Sequence, residues 1–219
     1  MMLALVFVVA AATAPATPAD GAYTYAVSVG GASAGKTTIQ LTHTSGGVQL
    51  TETASASYNG AEFSGTSTLN LDGSLAPASY TAVYSPPGHT VHTALAFKGN
   101  TANETADNGN MAFTLGASTK NFAVLDGTMF AGFFILPAQL RAWNAQSFTA
   151  VSPMFGHGGA IALDAALKPD RPKDVPAADV PLSVSDPVEF TLWYDPATLV
   201  VDELVVPQQD ATYARLRSR

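Results

Sequence analysis

The glycine-rich segment Gly30–Thr37 contains two overlapping patterns that serve catalysis in other proteins. Its spacing G-x-x-x-x-G-K-T is that of a phosphate-binding loop, and Ser33 within it lies in the G-x-S-x-G pattern of a nucleophilic serine. Both patterns need a helix directly after the loop, and in the phosphate-binding loop the helix N-terminus supplies anion-binding amides. Residues 37–42 are instead rich in β-branched side chains and alternate polar with apolar residues, which predicts a strand. The segment therefore predicts a hairpin turn, with neither a bound nucleotide nor a serine nucleophile.

The other residues with chemical potential do not combine into a catalytic or metal site. His89 and His92 are three positions apart, which on a strand sends their side chains to opposite faces. His157 could act as a base, but the sequence pairs it with no nucleophile. Glu52 is the one charge predicted on the inner face of a long hairpin. We expect it to lie near the rim and reach water, the alternative being burial with a partner. We predict no catalytic residue, no metal ligand and no cofactor.

The elements that would position a site follow an amino-terminal leader. Residues 1–12 are nearly all apolar, and Ala, Thr and Pro continue to Ala19, which predicts a secretory signal peptide over residues 1–19. The apolar run is shorter than the ~20 residues that a membrane span requires. We expect cleavage after Ala16 or Ala19, a single β-rich domain over residues 20–219, and no transmembrane span after processing. The expected location is periplasmic or extracellular.

Composition narrows the classes of partner. Charged residues make up 12% of the 219-residue chain, its formal net charge is −7, and its Lys and Arg residues form no basic stripe. We expect no nucleic-acid partner, because neutralisation of phosphates by Lys and Arg supplies most of that affinity. The chain has no cysteine, which excludes disulfides, thiolate metal sites and a lipid anchor on an acylated cysteine.

Most of the chain alternates with a period of two, which is typical of half-buried strands. The clearest unit spans residues 48–71 and turns at Asn59 and Gly60, the pair favoured in two-residue hairpin loops. This turn fixes the register, so that Ala54 faces Gly65. These small residues leave a gap on the inner face, which either a core aromatic from elsewhere or a ligand must fill.

Residues Thr128–Trp143 break the β pattern and predict a helix, because their apolar side chains follow a 3.6-residue spacing. Asp126 is placed to cap its start, and Pro137 to kink or restart it. A lone helix has no helical partner, so its aromatic face must meet the sheet. Four prolines mark residues 168–181 as an exposed loop. Further strands are predicted near residues 78–84, 90–98, 111–115, 120–125, 147–152, 160–167, 188–194 and 199–206.

Three parts of the sequence carry a resemblance. The chain opens with the alternation of Tyr23, Tyr25 and Val27, continues to the aromatic stretch Phe130–Trp143, and closes with a Trp-Tyr-Asp turn before Leu199–Pro207. Together these resemble a group of exported bacterial proteins known as domains of unknown function. The resemblance implies the β-clam architecture of the lipoprotein carriers, in which a strongly curved antiparallel sheet wraps round a short helix. It implies no catalytic residue, and this chain lacks the lipobox cysteine of many relatives of the carriers.

The sequence thus predicts a mainly β fold, with a single curved antiparallel sheet or partial barrel wrapped round a short aromatic helix. We expect an exported, non-catalytic protein that binds or carries an apolar small molecule or lipid between sheet and helix. The alternative is a structural or interaction protein of the cell envelope with a fully packed core. The expected ligand-lining residues are Ala54, Phe63, Gly65, Phe130, Phe133, Phe134 and Trp143.

Overall fold

The computed structural model describes residues 16–58, 60–107, 109–115, 121–153, 157–164, 167, 169–186 and 189–217. Most of the predicted leader lies outside these ranges, so its removal stays a prediction. The last residue of the predicted leader is described: the carbonyl oxygen of Ala19 accepts a 2.7 Å hydrogen bond from the Tyr23 hydroxyl. Across the described ranges, no helix combines the length and apolar character that crossing a bilayer would take.

The described residues form fifteen strands and one α-helix. The helix, α1, is Ala131–Trp143, and a 3-10 turn covers Pro207–Gln209. The strands in chain order are β1 (Gly21–Val29), β2 (Ala32–Thr44), β3 (Gly47–Tyr58), β4 (Ala61–Asp72), β5 (Pro77–Ser85), β6 (Val91–Lys98), β7 (Thr101–Ala106), β8 (Gly109–Thr114), β9 (Phe122–Val124), β10 (Ser147–Ser152), β11 (His157–Ala162), β12 (Val180–Val184), β13 (Phe190–Tyr194), β14 (Val201–Val206) and β15 (Ala211–Arg215).

Two sheets account for all of these strands. The large sheet has twelve antiparallel strands in the order β12-β13-β14-β15-β1-β2-β3-β4-β5-β6-β7-β8. The small sheet has the order β11-β10-β9, and β9 runs parallel to β10. In the described part of the chain the large sheet is open, with β12 and β8 at its edges. Pairing of β15 with β1 places the last strand beside the first.

The long hairpin has the predicted register. Strands β3 and β4 pair with Glu52 opposite Ser67 and Ala54 opposite Gly65. All four residues are buried, as expected for one face of a half-buried hairpin. The alternation of the sequence therefore identified the inner face of this unit correctly.

The glycine-rich segment forms the predicted hairpin turn between β1 and β2. Gly30 and Gly31 have φ angles of 61° and 72°, the left-handed pair that a tight hairpin turn requires and that glycine adopts at little cost. Lys36 lies within β2 and is exposed. No helix N-terminus follows it to receive a phosphate, so the absence of nucleotide binding remains our expectation.

Helix α1 begins at Ala131, later than the predicted start at Thr128. Asp126 and Thr128 form a turn before it, in which the Thr128 N–H donates a 2.8 Å hydrogen bond to the Asp126 carboxylate. Asp126 is therefore not the cap of the helix. Of the two effects predicted for Pro137, a kink or a restart of the helix, the restart was wrong, because α1 continues through this residue.

The large sheet curves round α1. Every residue of the helix from Ala131 to Leu140 is buried. The helix contacts β3 and β4, and it also contacts β14, which lies several strands away in the same sheet. One sheet can reach a helix from both sides only by bending round it. On its remaining side α1 lies so close to β9 that a Cβ atom at Gly132 would overlap the carbonyl oxygen of Val124. Glycine at this position therefore permits the close approach. The predicted fold class is confirmed.

Two strands were not predicted. Strand β7 was missed between its neighbours, and β12 begins inside the predicted loop over residues 168–181. Pro181 lies within β12, where the sequence favoured a loop. Proline is tolerated there because β12 is an edge strand and needs hydrogen bonds on one side only.

Candidate functional site

Glu52 binds the N-terminus of helix α1. Its side chain is only 2% exposed, so the expectation that it reaches water at the rim was wrong. The N–H of Phe130 donates to Oε1 at 2.9 Å, and the N–H of Ala131 donates to Oε2 at 2.8 Å. The hydroxyl of Thr37 donates to Oε1 at 2.6 Å. The carboxylate thus satisfies amides that the first turn of the helix leaves without a backbone acceptor.

The environment of Glu52 acts on its charge in two opposing ways. Burial raises the pKa of the Glu52 carboxyl above its ordinary value, and the hydrogen bonds from Thr37, Phe130 and Ala131 oppose that rise. The positive end of the helix dipole also favours the charged form. The result is a buried acid matched to a buried helix end.

A second buried carboxylate lies just before the helix. Asp126 accepts a 2.6 Å hydrogen bond at Oδ2 from the Tyr80 hydroxyl, and the Tyr84 hydroxyl donates to the same oxygen. Its Oδ1 accepts from the N–H and the hydroxyl of Thr128, at 2.8 and 2.7 Å. Burial raises the pKa of both tyrosines, and the Asp126 charge raises it further. Asp126 therefore accepts four hydrogen bonds, two at each oxygen of its carboxylate.

A partly open cavity of about 230 Å³ adjoins this cluster, between the two sheets at the start of α1. Most of its lining is apolar, and the exposed residues Gly127, Gln208 and Gln209 mark its opening. Gln209 Nε2 donates a 3.1 Å hydrogen bond to the carbonyl oxygen of Gly127 across this opening. The lining residues are Leu125, Asp126, Gly127, Met129, Phe130, Phe133, Ala150, Ser152, Ile161, Leu204, Val206, Gln208, Gln209 and Tyr213.

Two of the predicted ligand-lining residues, Phe130 and Phe133, lie on this cavity. Ala54 and Gly65 do not, because the side chain of Met129 fills the gap between them: a Cβ atom at Gly65 would overlap its terminal methyl. The gap on the hairpin is thus filled from elsewhere in the core, as the sequence allowed, but by methionine and not by an aromatic ring.

The other predicted residues lie in three different places. Phe134 is fully buried against Tyr23, with ring centroids 4.9 Å apart. Phe63 borders a shallow depression at the end of the long hairpin. The indole N–H of Trp143 donates a 3.1 Å hydrogen bond to the carbonyl oxygen of Ser74. The structure therefore does not bring the predicted set together as one site.

The sequence analysis missed the polar part of this region. Tyr80 and Tyr84 are both inward-facing on β5, and their alternation with Ala82 gave a readable signal for a buried phenol pair. Buried phenols need acceptors, so a search for a nearby acid would have pointed to Asp126. The cavity residues from β14 and β15 gave no such signal, because apolar side chains on a strand are ordinary core.

A separate cleft of about 480 Å³ lies beside the last residues of the described chain. In this cleft the carboxylate of Asp202 forms ion pairs with two guanidinium groups, at 3.2 Å between Oδ1 and Nη1 of Arg215 and at 2.7 Å between Oδ2 and Nη2 of Arg217. Asp179 is buried beside Asp202, and burial together with a hydrogen bond to Asp202 raises its pKa from 3.8 to about 7. Across the described residues no group of three or more His, Asp and Glu side chains is placed to hold a metal ion.

We expect stability to fall as pH rises from about 4 to 7, because folded Asp179 keeps a proton that the unfolded chain loses in this range. Below this window Asp179 is protonated in both states, and above it in neither, so the slope disappears on both sides. Buried Glu203, whose pKa burial raises to about 7, adds to the same slope.

Urea unfolding at several pH values across this window measures that slope. Asp179→Asn should reduce it to the part that Glu203 contributes, since asparagine does not titrate. Asp170→Asn, an exposed position in the same loop, should leave the slope unchanged. An equal slope in wild type and Asp179→Asn would contradict the assignment.

Comparison with solved structures supports the fold. A beta-barrel-like protein of the domain of unknown function DUF1849 from Brucella abortus superposes with a TM-score of 0.55 at 7% identity, covering 93% of this chain and 98% of that one. A DUF1089 family protein from Pseudomonas aeruginosa has a TM-score of 0.47 at 10% identity, with the same coverage of 93% and 98%. No family model and no curated protein matches the sequence. At these identities the first neighbour shows the fold alone.

Proposed function

We propose that this is an exported, non-catalytic protein that binds a small apolar or lipid-like molecule in the cavity at the start of α1. The observation that carries the proposal is the concave, mostly apolar space between two sheets and a buried helix. Ligand sites in proteins are typically concave and apolar with a few polar groups, which matches this lining. The leader pattern of residues 1–19 supports export, and the resemblance to lipoprotein-carrier-like folds supports the ligand class.

The size of the cavity limits the ligand. Its volume of about 230 Å³ lies below the range of about 300–1,000 Å³ for pockets that hold drug-sized molecules. A single short alkyl chain, or one end of a longer lipid whose remainder leaves the opening beside the exposed Gln208, fits this space. A bulky multi-chain lipid held wholly inside does not.

The alternative, a structural or interaction protein of the envelope, is favoured by one observation. Met129 fills the gap that the sequence left open between β3 and β4, so this part of the interior is packed without a ligand. On that hypothesis the cavity beside Phe133 is a packing defect and binds nothing.

Binding of 1-octanol, measured by isothermal titration calorimetry, distinguishes the two functions. We expect wild type to bind it and Ala150→Leu to lose about tenfold or more in affinity, because the larger side chain occupies the cavity. The matched control is Ala94→Leu, on half-buried β6 and away from the cavity, which should bind like wild type. Circular dichroism confirms that each variant is folded. Absence of binding by wild type, or equal binding by Ala150→Leu, would favour the packed structural protein.

A further inference from the structure

We infer that the cavity selects apolar molecules whose polar end is uncharged or cationic, such as a long-chain alcohol or amine, and rejects carboxylates such as fatty-acid anions. This inference rests on the proposed function and concerns the same cavity. It follows from two observations: Glu52 already accepts hydrogen bonds from the N–H groups at the start of α1, and the carboxylate of Asp126 lies on the cavity lining.

The groups that would bind an anionic end are already occupied. The N-terminus of a helix is a natural binding site for carboxylates and phosphates. Here the N–H groups of Phe130 and Ala131 both donate to Glu52, at 2.9 and 2.8 Å. The protein's own carboxylate thus takes the two amides of this helix N-terminus, next to Phe130 on the cavity lining, and leaves neither of them free for a ligand's headgroup.

The lining offers an anion no opposite charge. None of the described residues that line the cavity is Lys, Arg or His. Arg215 follows Tyr213 on β15 by two positions, but its guanidinium is paired with Asp202 at 3.2 Å. Transfer of a carboxylate from water to such a space leaves it unpaired, which is costly.

The lining also carries negative charge. Asp126 lines the cavity, and its two oxygens accept four hydrogen bonds, so it offers a field and no free acceptor. The effect of this charge extends to Tyr213 on the same lining. Burial raises the pKa of Tyr213 to about 12, and the charges of Glu52 and Asp126 contribute to the rise. Like charges within a few ångströms at reduced dielectric repel strongly. An ammonium also loses its hydration in this space, but the same field attracts it, and a neutral hydroxyl has no net charge for the field to repel.

Uncharged polar groups at the opening complete the selection. Gln208 and Gln209 carry amides there, and amides can donate to and accept from an alcohol. The cavity therefore combines an apolar interior, a neutral polar opening and a negative field. This combination favours a hydroxyl or amine end over a carboxylate end on chains of equal length.

The test compares three probes with the same eight-carbon chain, 1-octanol, octylamine and octanoate, by isothermal titration calorimetry at neutral pH. We expect octanoate to bind about tenfold or more weakly than octanol, and octylamine to bind more tightly than octanoate. Gln208→Lys adds a cation at the opening and should raise the ratio of octanoate to octanol affinity. Gln40→Lys, an exposed position on β2, makes the same substitution elsewhere and should leave that ratio unchanged.

The outcomes separate this inference from the proposed function. If no probe binds wild type, the apolar site itself is refuted. If octanoate binds as tightly as octanol, the cavity binds ligands but the charge selection is overturned. An octanoate-to-octanol ratio that is equal in wild type and Gln208→Lys overturns the electrostatic origin of the selection.

Discussion

Glu52→Ala is expected to lower the free energy of unfolding by about 3–5 kcal/mol. The substitution leaves the N–H groups of Phe130 and Ala131 and the Thr37 hydroxyl buried without their acceptor. A buried polar group without a partner costs about 1–3 kcal/mol, and the vacated volume adds a cavity cost. Because the whole first turn of α1 depends on this carboxylate, helix content measured by circular dichroism should fall at a lower urea concentration.

Two further variants isolate the cause. Glu52→Gln keeps the size of the side chain and one acceptor oxygen, so we expect a smaller loss of about 1–3 kcal/mol. Glu62→Ala removes an exposed glutamate from the neighbouring strand β4 and should change stability by about 0.5 kcal/mol or less. Urea denaturation measures all three. A loss in Glu52→Ala no larger than that in Glu62→Ala would contradict the role of Glu52 as the partner of the helix N-terminus.

The long hairpin could be predicted because its information is local. Alternation with a period of two assigns each side chain to a face, and a two-residue turn then fixes every cross-strand pair. The observed pairing of Ala54 with Gly65 and of Glu52 with Ser67 follows from these two facts alone. The turn at Gly30 and Gly31 was predictable for the same reason, since the alternation that indicates the strand after Lys36 lies in neighbouring residues of the sequence.

The role of Glu52 was not predictable in this way. The sequence placed a charge on an inner face, and burial statistics then favoured a position near water. The deciding partner, the N–H of Phe130, lies 78 residues further along the chain. A pattern of faces does not say which element packs against a given face, so it could not show that a helix end comes to this carboxylate.

The candidate site shows the same limit. Phe130 and Phe133 were predicted to border a ligand because their spacing places them on the same aromatic face of the predicted helix. Both residues do border the cavity. The opposite wall comes from Leu204 and Tyr213, near the other end of the chain. Its closeness depends on β15 pairing with β1, which the sequence did not reveal.

Phe134→Ala and Phe133→Ala form a matched pair at adjacent positions of α1. The first removes a ring from the packed core, and the second removes a ring from the wall of the cavity. Phe134 is fully buried, and its ring lies 4.9 Å from that of Tyr23 and 6.4 Å from that of Tyr25. We expect Phe134→Ala to cost about 3–5 kcal/mol, the usual range for a buried phenylalanine.

Phe133→Ala should cost less, about 2–3 kcal/mol, because one side of this ring faces space and has fewer contacts to lose. Its contact with Phe190, at 5.3 Å between ring centroids, accounts for what remains. The same change enlarges the cavity, so decanol should gain affinity relative to octanol in Phe133→Ala. Urea unfolding with and without each alcohol measures both effects, since a ligand that binds only the folded state raises its stability. Equal losses of stability in the two variants, with no change in the preference between the alcohols, would mean that Phe133 is packed as tightly as Phe134 and that the cavity does not hold a ligand.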